Sequence, residues 1–152
     1  MFRGVHSINL DAKGRIAIPA RFRQRLRDHC DGKLVITVDR VDPCLPIYPF
    51  PEWEVIEEEL TKLPALSKQS RRLQRLLIGH ATECELDGHG RVLLPSPLRD
   101  FASIDKHVVL IGQGKKFELW NEQIWIERRD AWLAEDEGDE GPLSSQLESL
   151  SF

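Results

Sequence analysis

The amino-acid sequence predicts an α+β fold, mainly β, in which one structural unit is written twice. Three observations predict it. Residues 11–23, DAKGRIAIPARFR, return at residues 87–99 as DGHGRVLLPSPLR, with Asp, Gly, Arg, a β-branched residue, an aliphatic residue, Pro and a final Arg in register. The flanks repeat too: Phe2, Leu10 and Asp11 align with Ile78, Leu86 and Asp87. Each motif is followed by an apolar run, an aromatic segment (Tyr48 or Trp120) and a helix carrying Trp53 or Trp125. Finally, 152 residues with 41% hydrophobic content bound one moderate core. Each copy alone, at roughly 70 residues, would be marginal by the ratio of surface to volume, so the copies are expected to share that core.

The first copy opens with a loosely alternating run, Val5, Ile8 and Leu10 among polar residues, which reads as a strand. It enters an Asp-x-x-Gly turn. Gly14, and Gly90 in the second copy, would supply the positive φ such a turn requires, while Asp11 and Asp87 accept hydrogen bonds from turn amides. Residues 15–18 leave as a second strand. Pro19, like Pro95, stops that strand by lacking an N–H and suits the first turn of a helix.

A short helix over 20–27 places Phe22 and Leu26 on one side and arginines on the other. Residues 34–38 form a buried-type strand. Pro43, Pro46, Pro49 and Pro51 punctuate the route past Ile47 and Tyr48 into a helix over 52–63, with Trp53, Ile56 and Leu60 as its apolar stripe. Pro64 breaks that helix, and a basic helix over 67–77 delivers the chain into the second copy. There a strand, turn, strand, short helix, strands at 108–111 and 117–120, and a helix over 122–133 are expected. The resulting division is 1–63 for the first repeat, 64–77 for the basic connector, 78–133 for the second repeat and 134–152 for an acidic tail expected to be disordered.

The formal charge of −4 argues against nucleic acid only on average. Basic residues cluster at Lys13, Arg15, Arg21, Arg23, Arg25 and Arg27, and again at Lys68, Arg71, Arg72 and Arg75, while acids gather at residues 52–59 and in the tail. Such segregation is what electrostatic steering responds to. Cys30, Cys44 and Cys84 are an odd set without CxxC spacing, which suits reduced thiols rather than a disulfide framework. The first residues lack the apolar core of a signal peptide, and no run approaches the ~20 apolar residues needed to cross a bilayer. The expectation is a soluble intracellular protein with no membrane partner.

An arginine just past a glycine turn can present a planar fork to a groove, and bidentate Arg–guanine pairing is the commonest specific base contact. Arg15 and Arg91 are therefore the candidates for base contact, with Lys13 as phosphate support and His89 in the matching place of the second copy. The bland reading is that Arg15 and Arg91 latch onto Asp11 and Asp87 across the turn. The arginines after Pro19 can likewise be a solvated helix face or a phosphate-positioning one. Two such arginines per chain are weak alone, so several linked subunits are expected to multiply them. An enzyme built on His80, Cys84, Asp87, His89 and Arg91 lacks metal-ligand spacing and has no counterpart in the first copy; no catalytic residue, cofactor, metal or small-molecule substrate is expected.

Paired D-x-x-G-R-[I/V]-x-[I/L]-P elements in a chain of this size resemble the MraZ family of bacterial transcriptional regulators, over roughly residues 1–133. The resemblance implies tandem AbrB/SpoVT-type swapped-hairpin repeats forming an intertwined β-barrel with flanking helices. It also implies a cytoplasmic, nucleoid-associated regulator that binds double-stranded DNA at direct repeats in the promoter of the division and cell-wall gene cluster, its own gene included, and that assembles as a ring-like homo-oligomer. Asp11, Lys13, Gly14 and Arg15 match the family pattern unchanged. His89 departs from it, replacing a permanent charge and making the second loop weaker or pH-dependent. The alternative is an antitoxin-like module whose main role is a protein partner.

Overall fold

A computed structural model gives the fold and describes residues 1–135, 146–147 and 149–150. The first copy runs β1 (Phe2–Asn9), β2 (Arg15–Ala17), α1 (Ala20–Cys30), β3 (Lys33–Ile36), β4 (Leu45–Pro49) and α2 (Phe50–Thr61). A connector follows, α3 (Lys68–Leu73), continued by a π-helical segment, Gln74–Ile78. The second copy then repeats the order as β5 (Thr82–Glu85), β6 (Arg91–Leu93), α4 (Ser96–Phe101), β7 (His107–Gly114), β8 (Phe117–Asn121) and α5 (Glu122–Ala134).

The copies do not sit side by side. They exchange strands. A six-stranded antiparallel sheet has the order β1-β7-β8-β4-β3-β5, so β1 pairs with β7 of the other copy, from Phe2↔Gly114 to Asn9↔His107. Reciprocally, β5 pairs with β3, from Lys33↔Glu85 to Ile36↔Thr82, and β4 meets β8 in the middle. The remaining equivalents, β2 and β6, form a separate two-stranded ribbon. The two halves are thus interleaved, but among the described residues no ladder joins the sheet edges β1 and β5, so the expected barrel closure is not shown.

One core serves both copies, as the size argument requires. Phe2, Ile16, Phe22, Leu26 and Ile36 pack in one cluster with Val92, Leu98, Leu110, Phe117 and Leu119. Each fully buried side chain of this size is worth about 1.5–3 kcal/mol. The Phe2 ring lies 4.3 Å from that of Phe117 and 5.7 Å edge-on from that of Phe22, joining the amino terminus to both halves. A second, smaller cluster gathers Val35, Trp53 and Leu60 beneath Leu73, Leu77 and Ile78 of the connector.

Three local features differ from the sequence expectation for physical reasons. The proline-punctuated segment before α2 is a strand, β4, because Pro46 uses only its carbonyl there, accepting from the Thr37 amide. Secondly, the leading strand of the second copy is half the length of β1: of the equivalent residues 78–85, Ile78 ends the helical segment that covers the smaller cluster, residues 79–80 turn, and the strand begins only at Thr82. Thirdly, α1 runs on to Cys30, where Asp31 at φ 57° and Gly32 at φ 71° reverse the chain. The acidic tail expected to be disordered lies, beyond Glu135, outside the described residues except for 146–147 and 149–150. Among the described residues, no helix is long and apolar enough to cross a membrane.

Candidate nucleic-acid interface

The two motif loops make one set of hydrogen bonds twice. In the first, Asp11 Oδ1 accepts from the amides of Lys13 and Arg15, each at 2.9 Å, and the Asp11 amide donates to the Arg15 carbonyl. In the second, Asp87 Oδ1 accepts from the amides of His89 and Arg91 at 2.8 and 2.9 Å, and the Asp87 amide donates to the Arg91 carbonyl. Gly14 at φ 81° and Gly90 at φ 74° close the turns by donating to the Asp11 and Asp87 carbonyls. The aspartates therefore stay ionised. The Arg15 amide does most to hold the Asp11 carboxyl below the usual range, with the Arg15 guanidinium adding to it. The Arg91 amide does the same for Asp87, drawing it down to about 2.

Both latches foreseen in the sequence are present. Arg15 Nε donates to Asp11 Oδ2 at 2.8 Å and Arg91 Nε to Asp87 Oδ2 at 3.1 Å. Holding a guanidinium by Nε leaves the Nη groups at its outer end, and among the described residues these make no hydrogen bond. A latch and an outward fork are therefore compatible, with the first orienting the second.

The ribbon decides where the forks point. Its register sets Arg15 opposite Leu93, Ile16 opposite Val92 and Ala17 opposite Arg91. Directly paired residues share a face, and successive residues alternate. Ile16 and Val92 are completely buried, so Arg15, Ala17, Arg91 and Leu93 share the outer face, where Leu93 is 55% exposed. Arg15 and Arg91 stand about 7 Å apart along the ribbon by strand rise.

The two ends of the ribbon are cross-braced. The Ile18 amide donates to the Gly90 carbonyl and the Leu94 amide to the Gly14 carbonyl, so each loop is tied to the strand exit of the other copy. Pro19 and Pro95 occupy the N-caps of α1 and α4 at those exits. One turn later, Arg23 Nε donates to the Ile18 carbonyl at 2.7 Å and Arg99 Nε to the Leu94 carbonyl at 3.1 Å. Their side chains reach over the opposite loop: a methyl group added at Gly14 would lie 3.2 Å from Arg99 Cζ, and one at Gly90 would collide with Arg23 Nε and Cδ. Arg27 Nη2 donates to the Asp87 carbonyl at 3.3 Å. The interface is thus a cationic strip in which Lys13 and His89 stand exposed at the loop tips and each copy braces the other.

Arg23 and Arg99 were not singled out from the sequence as a pair, although the signal was there in the register of each motif's final arginine. The rest of the run after Pro19 is partly structural: Arg25 Nη1 donates to the Met1 carbonyl and Arg21 lies over the Phe22 ring. The residues that suggested an enzyme have separate structural partners. His80 Nδ1 meets the Leu76 carbonyl, Cys84 Sγ the Leu34 carbonyl, and burial pushes the Cys84 thiol up to about 12. That is the wrong direction for a nucleophile.

A duplicated, strand-exchanged fold whose two-stranded ribbon carries a cationic outer face presents the kind of surface that suits a nucleic-acid-binding class of protein. The family model described as "MraZ protein, putative antitoxin-like" matches residues 1–76 and again 77–136, and the chain belongs to that family. It is 62% identical over 152 residues to a transcriptional regulator MraZ of Thioalkalivibrio sulfidiphilus, covering all of both chains. It is likewise 60% identical over 156 residues to that of Methylococcus capsulatus and 56% identical over 152 residues to that of Halorhodospira halophila, again with full coverage of each chain. The chain is a DNA-binding transcription regulator of this family, and its relatives carry a regulator's name rather than an enzyme's.

Proposed function

We propose that the β2–β6 ribbon enters the major groove and that the chain reads direct repeats in the promoter of the division and cell-wall gene cluster, its own gene included. One observation carries this reading. Arg15 and Arg91 share the outward face of the ribbon, on separate strands, spaced by about the rise of two base pairs. Each fork addresses guanine O6 and N7, while Lys13, and His89 when protonated, approach flanking phosphates. Arg23 and Arg99 support those phosphates from the opposite copy. Asp11, Gly14, Asp87 and Gly90 hold the loops, and Pro19 and Pro95 set the strand exits.

On this reading each AbrB-like, swapped-hairpin repeat (1–63 and 78–133, joined by 64–77) contributes one loop to a composite reader, working at the nucleoid in the cytoplasm. A bidentate pair discriminates by roughly 1–3 kcal/mol, so one chain is weak and a ring-like homo-oligomer multiplies its contacts over repeats about 10 bp apart. The test is a footprint on the DNA upstream of the gene with wild-type and Arg15→Ala protein. Protection of spaced repeats by the wild type alone is expected; equal protection by both would overturn the reading. The antitoxin-like description of the family favours a second reading, a DNA-binding module whose main role is a protein partner. A stoichiometric protein copurifying with the chain and lost from DNA-competent preparations would select it.

A further inference from the structure

Away from the ribbon, three side chains from both copies converge where β4 meets β8. Asp39 and Cys44 lie in the connection between β3 and β4, and Glu118 lies in β8. A carboxylate oxygen of each acid and Cys44 Sγ all lie within 4.8 Å of one another. We propose that Asp39, Cys44 and Glu118 form a binding site for a thiophilic divalent cation of the zinc class.

The cysteine carries the argument. Cys30 Sγ donates to the Leu26 carbonyl and Cys84 Sγ to the Leu34 carbonyl. Cys44 is completely buried, yet among the described residues its sulfur has no hydrogen-bond partner and sits beside two carboxylates. A thiol tucked away as a small hydrophobe needs no such neighbours.

The free lone pairs suit a cation. Asp39 Oδ2 is occupied by the amides of Val41 and Asp42, which fixes the carboxylate and leaves Oδ1. Glu118 Oε1 accepts from Trp120 Nε1 at 3.2 Å, and Oε2 lies 3.9 Å from Lys116 Nζ. These are the outer hydrogen bonds that orient metal ligands. Around a tetrahedral zinc, with sulfur at about 2.3 Å and oxygen at about 2.0–2.2 Å, the donors would draw together by roughly 1 Å, within the reach of side-chain rotation. A thiolate and two carboxylates with a dication leave one negative charge, which Lys116 balances. Because the ligands come from both copies, the cation would staple them.

The test uses the full chain and Co²⁺ as a spectroscopic probe. One equivalent should produce a thiolate-to-cobalt charge-transfer band that Zn²⁺ displaces, and Zn²⁺ should raise the Tm. Cys44→Ser should lose the band. Asp39→Asn and Glu118→Gln should each weaken uptake at least ~10-fold, while Cys30→Ala and Cys84→Ala leave it unchanged. No band at saturating Co²⁺, a band that survives Cys44→Ser, or unaltered uptake in both carboxylate variants would overturn the proposal. The carboxylate variants decide the matter should Cys44→Ser not fold.

Discussion

The two motif loops share the backbone hydrogen bonds of the Asp-x-x-Gly turn and the Asp–Arg latch, yet one tip carries Lys13 and the other His89. The difference separates what the turn requires from what it leaves open. Aspartate collects the amides, glycine takes the positive φ and arginine leaves on the next strand, so those three recur. The third residue donates only its backbone amide, and its side chain is free to vary. Bracing differs as well: Arg23 presses on Gly90 more closely than Arg99 does on Gly14.

The largest expected effect removes a fork from one loop at a time. Arg15→Ala should abolish the specific mobility shift while circular dichroism and light scattering stay unchanged, since loss of a contact worth about 1–3 kcal/mol is repeated in every linked subunit. Arg91→Ala should weaken binding less, because its loop carries no permanent charge at the tip. Equal losses would make the tips irrelevant. Arg15→Lys should fail as Arg15→Ala does, for a point charge cannot form the fork.

The glycines sharpen the comparison through stability. Gly14→Ala should cost about 1 kcal/mol for its positive φ, a Tm drop of roughly 2–4 °C. Gly90→Ala should cost about twice that, because the new methyl group also displaces Arg23 from the Ile18 carbonyl. Thermal unfolding of the two variants side by side checks it, and a larger drop for Gly14→Ala would refute the difference in bracing.

Smaller still is the exchange of tips. His89→Lys should tighten DNA binding at pH 8 and steepen the salt dependence by about one phosphate contact per loop, read from log K against log salt. Last comes acid. The Asp87 carboxyl is lowered in the folded chain, so its stabilising share is present above the ordinary carboxylate value and is lost as pH falls through about 2. Carboxyl NMR chemical shifts should follow Asp87 titrating below the range of a free aspartate.

Much of this was legible in the sequence because duplication puts equivalent residues in register. The turns, the short helices after Pro19 and Pro95 and the latches all follow from single motifs read twice. Partnership was legible only through the family resemblance, which implies intertwined repeats without saying which strands pair. A repeat says that β1 resembles β5 but not that each pairs with the other copy, because strand exchange depends on which neighbour buries Phe2 and Val108, a property of the assembled core. Duplication offered one clue that prolines obscured: residues 117–120 read plainly as a strand, and the equivalent segment with Pro46 is β4. Arg23 and Arg99 stand in register too, but their reach over the opposite glycine exists only after exchange.

Exchange also sets a timetable for making the protein. While the chain emerges from the ribosome, β1 comes out first and its ladder partner, β7, begins only at His107. Most of the polypeptide must be synthesised before the amino-terminal strand has anywhere to go, and long-range pairings of this kind are slow and leave sticky edges in the meantime. A premature stop after α2 would strand an unmatched β1, making nascent fragments natural clients for chaperones.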